Sequence, residues 1–224
     1  MRRFAPLLTL LAVVVLGGAL LTLNLLGDPG NQNAQPAAAA PATSAPPAAA
    51  VAPPSAQAAA PAAAEKAYAG RSSGNEVTLA IAVKDGRAVG YVCDGKKIEA
   101  WLEGTVSGSD VSLRSSDGKS TIVGRVDEAK SLGTVAVGDK EWPFAAKAAT
   151  GPAGLYEGRA SVKGVLNRIG WVVLSDGTQS GVGGNGTDTF AAPPLDPAHP
   201  ESVTLDGVPV IVKTVGGGDT VIGS

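Results

Sequence analysis

The sequence predicts an all-β fold: an antiparallel meander, closed as a small barrel or folded as a sandwich, after an N-terminal transmembrane helix and a disordered Ala/Pro linker. Three observations lead there. Beyond Glu65 apolar residues recur with a period of two, as in Val77, Leu79, Ile81 and Val83 alternating with Thr78, Ala80, Ala82 and Lys84. That is the pattern of a half-buried strand. Asp-Gly pairs stand at 85–86, 94–95, 117–118, 176–177 and 206–207, and Asp-Gly between alternating runs is a strong hairpin signal, because type I′ turns need positive φ at both central residues. Ahead of Glu65 lie a long uncharged apolar run and a Pro-rich tract that no strand or helix pattern fits.

Residues 1–6 read as a short cytoplasmic N-terminus. Residues 7–26 are uncharged and apolar. At about 1.5 Å per residue, a helix of that length spans roughly 30 Å, the hydrocarbon thickness of a bilayer. A cleavable signal peptide usually has a shorter apolar stretch and a small-x-small site. Gly27-Asp28-Pro29-Gly30 offers no such site, so an uncleaved anchor is expected, with cleavage among Ala37–Ala40 as the alternative. Arg2 and Arg3 are the only charges before Asp28. The positive-inside rule therefore leaves the N-terminus in the cytoplasm and exports the chain beyond Leu26.

Residues 27–66 read as a linker. From Pro29 to Ala64 there is no charge, and Ala and Pro fill 26 of 36 positions. Recurrent Pro removes helix donors, and no apolar pattern offsets the entropy of ordering. An extended polyproline-like path of about 3.1 Å per residue would reach on the order of 100 Å.

Residues 67–149 read as a first β-unit, with strands at 68–73, 76–84, 87–93, 97–103, 105–113, 119–126, 132–137 and 140–147. Gly104, Gly124 and Gly133 mark strand starts or bends where a side chain would crowd the sheet. Pro143, between Trp142 and Phe144, marks an edge strand able to accept a partner strand, the plainer reading being a core Trp–Phe pair. Residues 154–215 read as a second β-unit ending in a hairpin Val203–Leu205/Val208–Val212, and 216–224 as a flexible Gly-rich tail. An echo connects the units: Tyr68-Ala69-Gly70-Arg71 recurs as Tyr156-Glu157-Gly158-Arg159, and Asp85-Gly86 as Asp176-Gly177. Two related β-units are one explanation, and convergent hairpin chemistry is the other.

Composition excludes more than it assigns. Removing Arg2, Arg3 and Asp28 from the totals of 18 Lys+Arg and 20 Asp+Glu leaves 16 and 19 in the part from Glu65 onward, so nucleic acid is a poor partner. Cys93 is the only cysteine. It allows no internal disulfide and reads as a small buried hydrophobe. His199 is the only histidine. A Ser–His–Asp hydrolase would have to use it, with Asp196 and a serine such as Ser202. Gly181, Gly183 and Gly186 satisfy a dinucleotide fingerprint but precede Ala191-Ala192-Pro193-Pro194 rather than a helix pattern. Gly183 to Phe190 fits one copy of a calcium nonapeptide that works only in tandem. Asp127-Glu128 and Glu99/Glu103 are the carboxylate pairs a glycosidase could use, and all four read as solvated. No catalytic, cofactor-binding or metal residue is assigned, and no cofactor.

The layout resembles that of envelope proteins of high-GC Gram-positive bacteria, in arrangement only. The expectation is a single-pass chain in the cell membrane, its C-terminal domain outside. It would act as a tethered β-module in binding or interaction at the cell envelope. Its partners would be the membrane through residues 7–26 and an envelope protein or lipid. A lipid or small-molecule β-barrel carrier and an envelope hydrolase are the alternatives, as is secretion after signal cleavage.

Overall fold

The computed structural model describes residues 65–223. The expected membrane helix at 7–26 and the linker to residue 64 lie outside the described residues. Lys66, assigned above to the linker, already belongs to the first strand. Among the described residues no helix is long and apolar enough to cross a membrane.

Eight strands succeed one another as an antiparallel meander: β1 (Lys66–Ser72), β2 (Thr78–Lys84), β3 (Arg87–Cys93), β4 (Glu99–Ser107), β5 (Asp110–Arg114), β6 (Ser120–Val126), β7 (Lys130–Val137) and β8 (Lys140–Ala148). Each pairs with the next, and β8 returns to β1, with Tyr68 opposite Ala148 and Ser72 opposite Phe144. The result is a closed barrel. The alternation read from the sequence decides what fills it. Leu79, Ile81, Leu102, Leu113, Ile122, Val135 and Phe144 are all buried in one interior cluster. The sequence left barrel and sandwich open; the β8–β1 pairing decides for the barrel.

Turn chemistry explains the register. Asp85 and Gly86 have φ of 51° and 76°, and Asp206 and Gly207 of 50° and 79°; both pairs form two-residue type I′ connections. The other Asp-Gly pairs sit in longer loops, where the carboxylate organises the backbone. Asp94 Oδ1 accepts from the N–H groups of Lys96, Lys97 and Ile98 at 2.8–2.9 Å. The break expected at Gly104 is absent: β4 runs through it to Ser107, and the turn comes at Gly108–Ser109. A Cβ on Gly104 would lie 2.0 Å from the Ser112 oxygen, so this glycine serves a close approach of neighbouring strands inside the barrel wall.

Pro143 does not mark an edge. It lies in β8 opposite Thr134 of β7, and its oxygen accepts from the Ser73 N–H where the chain leaves β1. Its missing N–H therefore faces the end of β1 and costs the β7–β8 ladder nothing. Phe144 is buried in the barrel interior with Trp142 packed against it.

The second body is a five-stranded sheet of β9 (Gly154–Val162), β10 (Val165–Val173), β11 (Gln179–Gly184), β12 (Thr189–Ala191) and, completing the order β12-β11-β10-β9-β15, β15 (Ile211–Thr214). β13 (Thr204–Leu205) and β14 (Val208–Pro209) form a separate minimal hairpin. The expected hairpin arm to Val212 is thus cut at Val210, and the chain then joins β9. The sequence echo falls on equivalent strands: β1–β3 and β9–β11 are successive antiparallel neighbours, and a later strand returns to the first in each unit, β8 to β1 and β15 to β9. The second unit does not close. Between β12 and β15 the chain covers one face of the sheet, burying Trp171 against Leu195, Val203 and Val210. Trp171 Nε1 donates to the Pro193 oxygen at 2.8 Å.

The other face packs on the outside of the barrel. Ala69, Ala80, Val89, Tyr91 and Cys93 from β1–β3 form one cluster with Leu155, Val172, Val182, Val215 and Val221. This explains why β2 and β3 are buried on both faces. The tail expected to be flexible joins this cluster: Val221 is completely buried.

Candidate interaction site at the junction of barrel and sheet

The polar chemistry of the described residues converges where β3 and β4 meet β9, β10 and the chain after β15. Tyr91 projects outward from β3 because Val92 on its neighbouring position faces the barrel interior. Its ring lies over Gly170, where a Cβ would stand 2.3 Å from the ring. The hydroxyl reaches Glu99 Oε2 and the Val182 oxygen at 3.2 Å each, and accepts from the Val182 N–H. Trp101 stands beside it, ring centroids 4.4 Å apart. The Arg168 guanidinium lies over the Trp101 face at 3.9 Å, a distance at which the ring quadrupole attracts a cation.

Arg168 is held from its other side by Glu157. Glu157 is 1 % exposed. Its Oε1 accepts from Arg159 Nε at 3.0 Å and Arg168 Nε at 2.9 Å, and Arg159 Nη2 stands 2.8 Å away. Lys213 Nζ lies 3.4 Å from Oε2 and 3.6 Å from Asp219 Oδ2. Strand register creates this convergence. Arg159 is opposite both Arg168 and Ile211, and Glu157 is opposite Lys213, so three cations from three adjacent strands surround one carboxylate. Burial opposes ionisation of Glu157, but Arg168, Arg159 and Lys213 outweigh it and hold the carboxyl below its ordinary value. Glu99 shows the reverse balance: burial pushes its carboxyl up, and the Tyr91 hydroxyl and Arg168 only partly oppose this.

The segment after β15 closes over this cluster. The Gly217 N–H donates to Glu65 Oε1 at 3.0 Å. Glu103 Oε1 accepts from the consecutive N–H groups of Val221 and Ile222. Arg168 Nη1 donates to the Val221 oxygen at 2.7 Å. Past the barrel the same face of the sheet is uncovered, and Ile211 and Leu166 are 79 % and 58 % exposed on either side of β9.

Glu99 and Glu103 are therefore not the solvated strand positions expected. They flank Trp101 on the outer face of β4 and bind Tyr91 and the final segment. Four residues at about 3.3 Å each put their Cα atoms roughly 13 Å apart, and both carboxylates are engaged elsewhere, so they do not form a glycosidase pair. Asp127 accepts from the N–H groups of Ala129 and Lys130 in the β6–β7 turn, and Glu128 pairs with Lys66 at the surface.

His199 is exposed. Ser202 Oγ donates to its main-chain oxygen and Asp196 accepts from Ala198, while the imidazole Nδ1 lies 3.5 Å from Glu201. The Ser–His–Asp arrangement is not assembled by these residues. The glycine-rich stretch from 181 is the β11–β12 hairpin, its turn closed by Asn185 Oδ1 accepting from Thr187 and Asp188. The helix that a dinucleotide fingerprint requires is replaced by β12. Among the described residues no group of three or more His, Cys, Asp or Glu could hold a metal ion.

Cys93 is buried, with its thiol 3.5 Å from Ser180 Oγ, and burial pushes its pKa up to about 11. A thiol so placed is expected to resist alkylation in the folded protein and to react stoichiometrically once the chain is denatured. Rapid labelling under native conditions would contradict its place between barrel and sheet.

Comparison with protein-family models, with curated proteins and with solved structures finds no match.

Proposed function

We propose that the chain is a single-pass, membrane-tethered β-module that works outside the cytoplasm in binding or interaction at the cell envelope. The observation that carries this reading is the position of its recognition chemistry. The barrel interior is filled by Leu79, Ile81, Leu102, Leu113, Ile122 and Phe144. Tyr91, Trp101 and Arg168 gather instead outside the barrel, packed under the second sheet and the segment after β15, and exposed Ile211 and Leu166 continue the same face of the sheet beyond them. A packed scaffold with polar and apolar groups on one outer face is the pattern of a protein–protein binding surface. The filled interior gives a ligand carrier no space in the barrel itself. Hollows lie at its ends and outside it: one of about 480 Å³ beside Ala149, Tyr156 and Asp219, one of about 370 Å³ beside Arg125 and Leu132, and one of about 290 Å³ at a barrel end lined by Tyr68 and Val126.

The test is a photo-crosslinking residue at Ile211, compared with one at exposed Asp139 on the far β7–β8 turn, in intact cells. A defined adduct from position 211 that is absent from position 139 is expected. Equal, diffuse labelling from both positions would contradict the reading.

A further inference from the structure

The segment after β15 is bound in the way that peptides are bound. Most of its polar contacts are made through its main chain: Glu103 takes two consecutive N–H groups, and Arg168 takes the Val221 carbonyl. Two side chains add selectivity. Val221 is fully buried, and Asp219 faces Lys213 at 3.6 Å. Consecutive N–H groups that converge on one carboxylate oxygen form an anion-binding concavity in a bent chain, and the side chains beside it supply specificity.

Two of the receiving groups have partners apart from the segment. Arg168 is fixed by Glu157 on one side and by the Trp101 face on the other. Lys213 has Glu157 as a second partner. The main chain of Glu103 is fixed in β4, opposite Val89 of β3 and Arg114 of β5, while its carboxylate bonds to the segment. The cationic side of the groove is therefore preorganised, which lowers the cost of binding a peptide. Gly216, Gly217 and Gly218 precede the segment and are the residues with the least intrinsic backbone restriction, with Gly217 held by Glu65 as the point from which the segment departs.

We propose that Trp101, Glu103, Arg168 and Lys213 form a recognition groove for a short peptide that bends so that two consecutive N–H groups meet one carboxylate and that bears an acidic residue two positions before a small branched apolar one, and that residues 219–222 occupy it in cis. This rests on the reading of the chain as an interaction module. The cis segment holds the groove until a partner segment of the same chemistry competes. Because an attached segment acts at an effective concentration of the order of millimolar, a free competitor displaces it only at comparable concentration or with better contacts.

The experiment is site-resolved hydrogen exchange on the full chain, with and without millimolar synthetic peptide of residues 217–223. Without peptide, the Val221 and Ile222 amides are expected to exchange by local opening, about 100-fold or more faster than the Ile122 amide of the barrel. With peptide, exchange at Val221 and Ile222 accelerates severalfold while Ile122 is unchanged, and Glu103→Gln abolishes the peptide's effect. Exchange of Val221 only with global unfolding would overturn the proposal. So would no acceleration by peptide, acceleration that includes Ile122, or an effect that survives Glu103→Gln. Such a failure leaves the crosslinking outcome at Ile211 untouched, so the two readings fall separately.

Discussion

Glu157→Ala is expected to cost about 3–5 kcal/mol, the range for removing one partner of a buried ionic group and leaving its counter-charges uncompensated. Arg159, Arg168 and Lys213 would then face one another with no carboxylate from β9 among them. Arg168 would also lose the bond that sets its plane over Trp101. Chemical denaturation at pH 7 measures the loss as a lower midpoint. A pH series adds a signed test. Because the folded-state value of Glu157 is depressed, its contribution is fully present above the ordinary carboxylate value of 4.5 and disappears as pH falls through the lower folded value. Wild type should therefore lose this part of its stability only on acidification below about pH 4.5, and Glu157→Ala should lack that component. A variant within about 1 kcal/mol of wild type, with the same acid limb, would show that the cluster is a surface-like ion pair of little consequence.

The second large effect is expected at Gly170. A Cβ there would stand 2.3 Å from the Tyr91 ring, and that ring is fixed by Glu99 and by the main chain of Val182. Gly170→Val must push the barrel and the sheet apart or drive Tyr91 from its site. Overpacking of this kind costs about 1–3 kcal/mol, and loss of the Tyr91 contacts adds to it. A lower thermal midpoint should come with faster alkylation of Cys93, because the same cluster covers that thiol. Gly170→Val with unchanged stability and a still protected thiol would contradict the packing described. Tyr91→Ala combined with Gly170→Val should be less than additive, since the first change removes the obstacle met by the second.

The antiparallel meander was legible because its signals are local, whereas its closure, the β8–β1 pairing, joins strands far apart in sequence and was left open. Alternation in Val77–Lys84 and the Asp85-Gly86 turn belong to neighbours in sequence, and the later strands of the meander differ from expectation mainly at their ends. At Gly104 the expected crowding is present but the expected break is not: glycine both turns a chain and admits a neighbouring backbone, and only the facing strand shows which applies. Pro143 misled for a related reason: whether its missing N–H matters depends on where β1 ends.

The junction was not legible. Glu99 and Glu103 alternate with Ala100 and Leu102, so they read as solvated strand positions. They do point outward from the barrel. What covers them is Arg168 and a segment 118 residues further on, and neither periodicity nor local turn chemistry carries information over that separation. The same holds for the Gly-rich stretch from 216, whose composition suggests fraying while its Val221 fills a buried site. A buried carboxylate such as Glu157, read only as part of an echo of Tyr68-Ala69-Gly70-Arg71, becomes visible as the centre of a charge cluster only when β15 is placed beside β9.

The proposed tethering of the β-module outside the membrane by its own N-terminal segment has a direct test in the native host. Cys93 is buried, so the wild-type chain should stay dark to a membrane-impermeant maleimide, and Leu166→Cys adds a thiol at an exposed site of the second sheet. Leu166→Cys is expected to be labelled in intact cells as fully as after lysis, and the labelled chain to remain in the membrane fraction. Labelling only after lysis would place the module inside the cell and contradict it.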